Sequence, residues 1–176
     1  MGILGTQQHS KNRAIDYNDR PDLTMRIYPM FLGLLMFCCC AAADKQALLY
    51  LYEPSLKGPD QETLTSLTYF AKSANFEMAR ALSGQLLERH KAEQEENPEV
   101  YGQLMINEGI IRSASLDYEQ GLIAINEGLR HLEQSHNQFS PSLVKGVMAK
   151  GIAEFYLNLT EQAEDTFRRV QHIHHR

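Results

Sequence analysis

The chain has 176 residues, of which 43% are hydrophobic and 22% are charged, a balance that suits one globular domain and excludes wholesale disorder. The formal net charge is −5 and no lysine or arginine cluster stands out, so nucleic-acid binding lacks the basic face it requires. The three cysteines are consecutive at 38–40, and the rest of the chain therefore offers no disulfide, thiol nucleophile or cysteine-ligated metal site.

Residues 1–24 are polar and carry no hydrophobic period. We predict that they form a disordered N-terminal extension. A second interpretation is that they are not translated, because Met25 begins a recognisable segment.

Residues 25–43 form a candidate export segment. Met25 and Arg26 precede an apolar run from residue 27 to residue 40, and Ala41 and Ala43 place small side chains at the −3 and −1 positions of a cleavage site. The pattern predicts a signal peptide that is removed before Asp44, and hence a periplasmic or secreted protein without cysteine.

Three other interpretations of this segment stay open. The first is a membrane anchor retained over residues 27–43, although the run is shorter than the roughly 20 residues of a comfortable span. The second is a buried core helix. The third is a lipoprotein signal, against which stand the bulky Met36 and Phe37 before the cysteines.

From residue 44 onward strong helix formers dominate, and apolar residues recur at spacings of three and four, as in Leu122, Ile125, Leu129 and Leu132. No stretch shows sustained alternation of β-branched residues. The predicted fold class is therefore all-α. Helices are predicted near residues 44–52, 60–73, 75–92, 98–115, 117–135, 141–157 and 160–173.

Capping residues support several of these boundaries. Asn75, Asn97, Asp117 and Ser140 stand at predicted helix starts, and the second and fourth are followed by proline, which suits the first helical turn.

The helical part also contains a repeat with a period of 42 residues. A small residue on one helix lets the next helix approach, a second small residue supplies the other side of that contact, and a third position fills the groove between units. The three sets of equivalent positions are Leu67, Gly109 and Gly151, then Ala79, Gly121 and Ala163, then Ser83, Ile125 and Phe167.

On these positions the chain resembles the tetratricopeptide repeat (TPR) family, in its longer variety. The resemblance covers residues 60–173, with repeats at about 60–97, 98–140 and 141–176 in a TPR-like domain at 44–176. It implies tandem antiparallel helix pairs that form a short right-handed TPR-like solenoid. A generic helical bundle is the alternative, since two family signatures are largely missing: Thr63, Met105 and Val147 replace the early aromatic residue, and of Phe70, Arg112 and Glu154 only the first suits the mid-helix tyrosine site.

The resemblance further implies a concave groove lined by the first helix of each repeat. A mixture of apolar and polar positions there suits a helix or an extended peptide. The implied groove residues are Gln61, Leu64, Thr68, Lys72, Gln103, Ile106, Ile110, Ser113, Lys145, Met148, Ile152 and Tyr156.

The sequence therefore predicts an exported, non-catalytic helical-repeat protein that binds a protein or peptide, with no catalytic, cofactor-binding or metal-binding residues and no contact with nucleic acid. Membrane contact is expected only through residues 27–43 if they are not cleaved. A homodimer through the apolar side of the last helix is a further expectation, carried by Phe167, Val170 and Ile173. The alternative function is a sensory module, similar to the exported TPR regions of bacterial diguanylate cyclases and kinases, either stand-alone or truncated.

Overall fold

A computed structural model describes residues 50–174, with side chains through residue 173. The predicted extension at 1–24, the export segment at 25–43 and the first part of the predicted helix 44–52 lie outside the described residues. The described part contains helices and no strand, which confirms the all-α prediction. Its six α-helices are α1 (Pro59–Lys72), α2 (Phe76–His90), α3 (Pro98–Ala114), α4 (Tyr118–Ser135), α5 (Val144–Tyr156) and α6 (Thr160–His174).

Each helix packs on the one that follows it in the chain, and α3 also touches α5. Two short 3₁₀ turns, Lys91–Glu93 and Pro141–Leu143, lie in the longer connections between α2 and α3 and between α4 and α5. The predicted helix 141–157 therefore begins as a 3₁₀ turn, in which the Ser140 side chain accepts a hydrogen bond from the Ser142 amide at 3.3 Å. The helices form three hairpins: α1 with α2, α3 with α4, and α5 with α6.

The three hairpins turn in the same way. Ala74, Leu116 and Asn158 are the non-glycine residues with positive φ among the described residues, at 57°, 69° and 60°, and they are spaced 42 residues apart. Each one ends the first helix of its hairpin in the left-handed conformation that commonly stops a helix. The 42-residue period therefore has a counterpart in the backbone.

The hydrogen bonds of these turns repeat as well. The amide of the residue after each left-handed residue donates at 2.9 Å to a carbonyl five positions back, and the acceptors are Phe70, Arg112 and Glu154. This bond satisfies a carbonyl that the helix end would otherwise leave free. Phe70, Arg112 and Glu154 thus have the same backbone role in all three hairpins, although their side chains differ.

The side chains at two of those positions are charged and paired. Arg112 donates at 2.6 Å to Glu108, one turn back on α3, and Glu154 accepts at 2.7 Å from Thr166 on α6. Glu108 and Glu154 are both buried. A charge at this depth is tolerated only when it is paired or hydrogen-bonded, and these contacts meet that requirement.

The closest contact lies between α3 and α4, where glycines from both helices meet. A Cβ on Gly102 would lie 2.7 Å from the Gly128 carbonyl oxygen, and one on Gly128 would lie 2.6 Å from the Gly102 carbonyl oxygen. No real side chain tolerates such distances to backbone atoms, so the two backbones touch directly. The same occurs two turns along this pair of helices, at Gly109 and Gly121. Gly151 on α5 leaves room for the Phe167 ring of α6.

The small residues of the predicted repeat therefore lie between helices. Ala79 and Ala163 are buried, as are Gly109, Gly121 and Gly151. Ser83 and Ile125, one turn beyond two of these positions, are also buried. The prediction that small residues permit close helix contacts is confirmed at Gly109, Gly121 and Gly151.

The last helix turns its apolar side inward. Ile173 is buried in the core, Val170 packs against that core, and Phe167 lies on Gly151. Arg169 adds a 2.6 Å hydrogen bond from α6 to Glu133 of α4. The apolar residues on which the expectation of a homodimer rested are thus largely used within the described part of the chain.

The prediction of a helix through residue 52 is wrong for the residues that are described. Residues 50–57 have no regular secondary structure. Leu51 and Tyr52 are nevertheless 5% and 6% exposed and belong to the hydrophobic core. Pro54 disfavours helical conformation in the residue before it. The amide and the carbonyl of Tyr52 both face the Asn107 side chain, as the two groups do in extended backbone.

Candidate functional site

The residues at 50–56, called here the N-terminal strap, cross the first helix of every hairpin. The strap touches α5 through a hydrogen bond from Lys145 to the Leu51 carbonyl oxygen at 3.0 Å. It touches α1 through a hydrogen bond from the Leu56 amide to the Gln61 side chain at 3.1 Å. Between these ends it meets α3, so it runs from the third hairpin to the first.

The central contact of the strap is made by Asn107 in the middle of α3. The Asn107 Oδ1 accepts from the Tyr52 amide at 2.6 Å, and the Asn107 Nδ2 donates to the Tyr52 carbonyl oxygen at 2.9 Å. Asn107 is fully buried. An amide side chain that satisfies both polar groups of one residue's backbone recognises an extended chain whatever its sequence, as a neighbouring β-strand would.

The Tyr52 side chain is held at its far end by the start of α5. Its hydroxyl donates to the Ser142 carbonyl oxygen at 2.7 Å and accepts from the Gly146 amide at 3.0 Å. The Gly146 amide is available because it lies in the first turn of α5, where amides have no partner within the helix. The backbone thus forms a small pocket that matches a tyrosine hydroxyl as both donor and acceptor.

Burial and charge complete the environment of Tyr52. The Lys145 ammonium lies 5.3 Å from the centre of its ring, within the range of a cation–π contact. Burial raises the pKa of the Tyr52 hydroxyl from 10.0 to about 12, and the hydrogen bond from the Gly146 amide lowers it by a smaller amount. The tyrosine is therefore held in its neutral form, which can donate to Ser142.

A cavity of about 280 Å³ opens beside the strap. Its walls combine the strap with α1 and α5, and they include two lysines and one glutamate. The lining residues are Tyr50, Leu51, Glu53, Thr68, Lys72 and Lys145.

The structure brings together some of the groove residues that the sequence predicts. Thr68, Lys72 and Lys145 line this cavity, and Gln61 binds the strap backbone. Met148 is 37% exposed and lies one turn beyond Lys145 on the same side of α5.

Other predicted groove residues lie elsewhere. Leu64, Ile106 and Ile110 are buried in the hydrophobic core at 2%, 0% and 8% exposure, so none of them is accessible to a partner in this structure. Ile106, for example, lies against Gly128 and Gly146, which places its side chain between helices. A charge at Ile110 would consequently disturb the fold rather than test a surface.

The remaining four predicted groove residues are distributed around the same helices. Gln103 is half-buried and donates to Glu99 on its own helix at 3.3 Å, and Ser113 packs against Gly121. Ile152 is half-buried. Tyr156 is 45% exposed and stacks on Tyr118 with 4.7 Å between ring centres.

Sequence reasoning missed the residues that make the most specific contacts. Leu51 and Tyr52 lie in the stretch predicted as helix, and Ser142 and Gly146 act through their backbone. One signal was available for Asn107: it is an uncharged polar residue inside an apolar stretch of α3, a position where a buried amide needs a partner.

A second cavity, of about 300 Å³, lies at the edge formed by the hairpin turns and is lined by Leu116, Asp117, Tyr118, Glu119 and Leu157. Leu116 is 73% exposed there. Arg112 links this edge to α3 through a hydrogen bond to Asp117 at 3.3 Å. The edge thus combines apolar side chains with charged ones.

No family model, curated protein or solved structure matches this chain. Among the residues that the structure describes, none of the helices has the length and apolar character needed to cross a membrane. The same residues contain no group of three or more histidine, cysteine, aspartate or glutamate side chains placed to hold a metal ion.

Proposed function

We propose that this chain is a non-catalytic, TPR-like helical-repeat protein, a short right-handed solenoid that binds an extended peptide segment of a partner protein across α1, α3 and α5. The observation that carries the proposal is the pair of hydrogen bonds between the buried Asn107 and the backbone of Tyr52. They make the face formed by these helices a site that already accommodates extended polypeptide.

The repeat geometry supports the same proposal. Three hairpins with equivalent left-handed turns at Ala74, Leu116 and Asn158, each helix packed on its sequence neighbours, are typical of a tandem helical array. Such arrays present the first helices of their units on one continuous face. The strap crosses the first helix of all three hairpins, as a bound peptide would.

Site-specific photo-cross-linking tests this function. A benzoylphenylalanine placed at Met148 stands one turn from the strap contact of Lys145, whereas the same group at Ile123 stands on α4 and is a matched control at 60% exposure. We expect discrete cross-linked partners from position 148 in cells that produce the protein, and none of them from position 123. Identical products from both positions, or none from either, would contradict the proposal.

The cavity beside the strap favours a second candidate function, a sensory module of a bacterial signalling system that binds a small ligand. Lys72 and Lys145 in its wall suit an anionic compound. A rise in melting temperature with one of a panel of anionic metabolites, lost in Lys72→Met, would favour this function. The absence of cross-linked protein partners from position 148 would count in the same direction, against peptide binding.

We also propose that the protein is exported, on the basis of the signal-like segment at 25–43. Mass spectrometry of the purified protein tests this directly. Processing predicts a mature N-terminus at Asp44, six residues before the strap, and an intact N-terminus at Met1 would contradict it.

A further inference from the structure

The strap is bound to the helices as a ligand would be. Its path from residue 50 to residue 56 has no regular secondary structure, and the hydrogen bonds that fix it come from helix side chains and from the backbone at the start of α5. The helical hairpins pack on one another through their own glycines and core residues. Only Lys57 and Gly58 join the strap to α1, and Gly58 adopts a left-handed φ of 55° that makes the turn.

Recognition in this groove has two parts. The first part consists of side chains that bind backbone amides or backbone carbonyl oxygens, and these would hold any extended chain. They are Asn107, Lys145 and Gln61. The pocket formed by the Ser142 carbonyl and the Gly146 amide, by contrast, selects a tyrosine, because a phenylalanine would leave both backbone groups without their partner.

The neighbours of Tyr52 in the strap define further preferences. Leu51 is buried before it and Pro54 is buried two residues after it, whereas Glu53 and Ser55 point outward and are exposed. Glu53 lies at the cavity that contains Lys72 and Lys145, so an acidic side chain suits that position. Read as a ligand, the strap has the pattern Leu-Tyr-acidic-Pro.

Resting on the proposed peptide-binding function, we propose that the strap is a resident ligand and that the partner is an extended peptide with the pattern Leu-Tyr-acidic-Pro, which displaces it. The short tether gives the strap a high effective concentration in its own groove. It therefore holds the site closed against weak or unrelated peptides. A partner with the same pattern replaces each contact that the strap gives up, so the exchange leaves no buried polar group unpaired.

A binding assay on the full chain tests this proposal. The probe is a fluorescein-labelled peptide with the sequence of residues 50–58, and the proteins are the wild type and the double variant Leu51→Ala/Tyr52→Ala, whose strap no longer fills the pocket. We expect the double variant to bind the probe at least about tenfold more tightly than the wild type. A probe with phenylalanine in place of its third residue, the tyrosine that corresponds to Tyr52, should bind the double variant about tenfold more weakly.

A second variant protects the test from a folding defect. If circular dichroism shows that the double variant loses helix, Tyr52→Phe is used instead, because it removes only the hydroxyl. The rate of hydrogen exchange at the Gly146 amide then measures whether this amide has lost its partner. Faster exchange in Tyr52→Phe, returned to the wild-type rate by the tyrosine-containing probe but not by the phenylalanine probe, supports the proposal. Unchanged exchange contradicts it.

The remaining outcomes separate this proposal from the function on which it rests. A folded double variant that binds unrelated extended peptides as tightly as the probe overturns the resident-ligand proposal and leaves peptide binding intact. A folded double variant that binds no peptide, while the cross-links from position 148 persist, also overturns the resident-ligand proposal alone. Loss of both peptide binding and those cross-links removes the function as well. A wild-type dimer that Tyr52→Ala dissociates would assign the groove to the strap of a second copy and overturn the partner proposal.

Discussion

Gly109 on α3 and Gly121 on α4 face each other so closely that neither has room for a side chain. A Cβ on Gly109 would lie 2.6 Å from the Gly121 carbonyl oxygen, and a Cβ on Gly121 would lie 2.9 Å from the Gly109 carbonyl oxygen. Both obstacles are backbone atoms of a regular helix, which cannot rotate away as a side-chain tip would. The second hairpin therefore depends on these two residues being glycine.

We predict that Gly109→Ala lowers the free energy of unfolding by about 1–3 kcal/mol, because the new methyl group forces α3 and α4 apart. Urea denaturation followed by circular dichroism measures the change. Gly84→Ala is the matched control: Gly84 is exposed within α2, where a Cβ would meet nothing within 4 Å. That substitution should stabilise the protein by up to about 1 kcal/mol, since alanine is the better helix former. Equal effects at the two positions would refute the close contact.

Leu116 offers a stabilising substitution. It is 73% exposed and has a φ of 69°, a conformation that costs a residue with a Cβ roughly 1–2 kcal/mol. We expect Leu116→Gly to raise the free energy of unfolding by about 0.5–1 kcal/mol after allowing for the greater freedom of glycine in the unfolded chain. Thermal denaturation measures it, with Ile123→Gly within α4 as a control that should destabilise by about 1 kcal/mol. A loss of stability in Leu116→Gly would mean that this turn is not left-handed.

Asn107→Ala tests the attachment of the strap. The substitution leaves the amide and carbonyl of Tyr52 without partners in a buried place, and it should cost about 2–4 kcal/mol. Hydrogen exchange of the Tyr52 amide should accelerate at the same time. Asn126→Ala, an exposed change on α4, should be neutral or slightly stabilising. If Asn107→Ala left both stability and exchange unchanged, the strap would not be held by this side chain.

The Tyr52 hydroxyl gives the fold a dependence on alkaline pH. Its pKa is raised from 10.0 to about 12 in the folded state by burial. Between pH 10 and about pH 12 the folded protein keeps a proton on Tyr52 that the unfolded chain has lost, so the free energy of unfolding falls as pH rises. The contribution is fully present below pH 10 and is lost by about pH 12, and it amounts to about 2–3 kcal/mol. Denaturation at several pH values should show a shallower decline for Tyr52→Phe than for the wild type, with Tyr69→Phe, at an exposed ring, behaving as the wild type. Equal declines for Tyr52→Phe and the wild type would contradict the prediction.

Much of the helical scaffold could be predicted because its signals are local. Pro98 starts α3 as expected, and the Asn75 side chain accepts a capping hydrogen bond from the Met78 amide at 3.3 Å. Asn97 and Asp117 depart from the expectation, because neither side chain makes a cap bond; Asp117 pairs with Arg112 instead. Small residues at equal spacing indicated the helix contacts because close approach of two backbones has few solutions.

The strap could not be predicted in the same way. Residues 47–51 have a composition that favours a helix, and nothing local shows that Asn107, 55 residues beyond Tyr52, would bind its backbone instead. A tertiary contact here outweighs intrinsic propensity, which differs by less than about 1 kcal/mol per residue between ordinary amino acids. Which face of α3 is accessible to a partner depends on that contact, and Ile106 and Ile110, which the sequence places in the groove, are buried.

The strap also changes how the molecule should lose its structure. In a helical array each unit is stabilised mainly by its neighbours, and terminal units fray first. The strap connects α5 to α1 across α3. If the third hairpin unfolds, contacts of the first hairpin are therefore lost as well. We therefore expect the described domain to melt in one cooperative transition. If a partner releases the strap, the third hairpin should instead unfold before the other two.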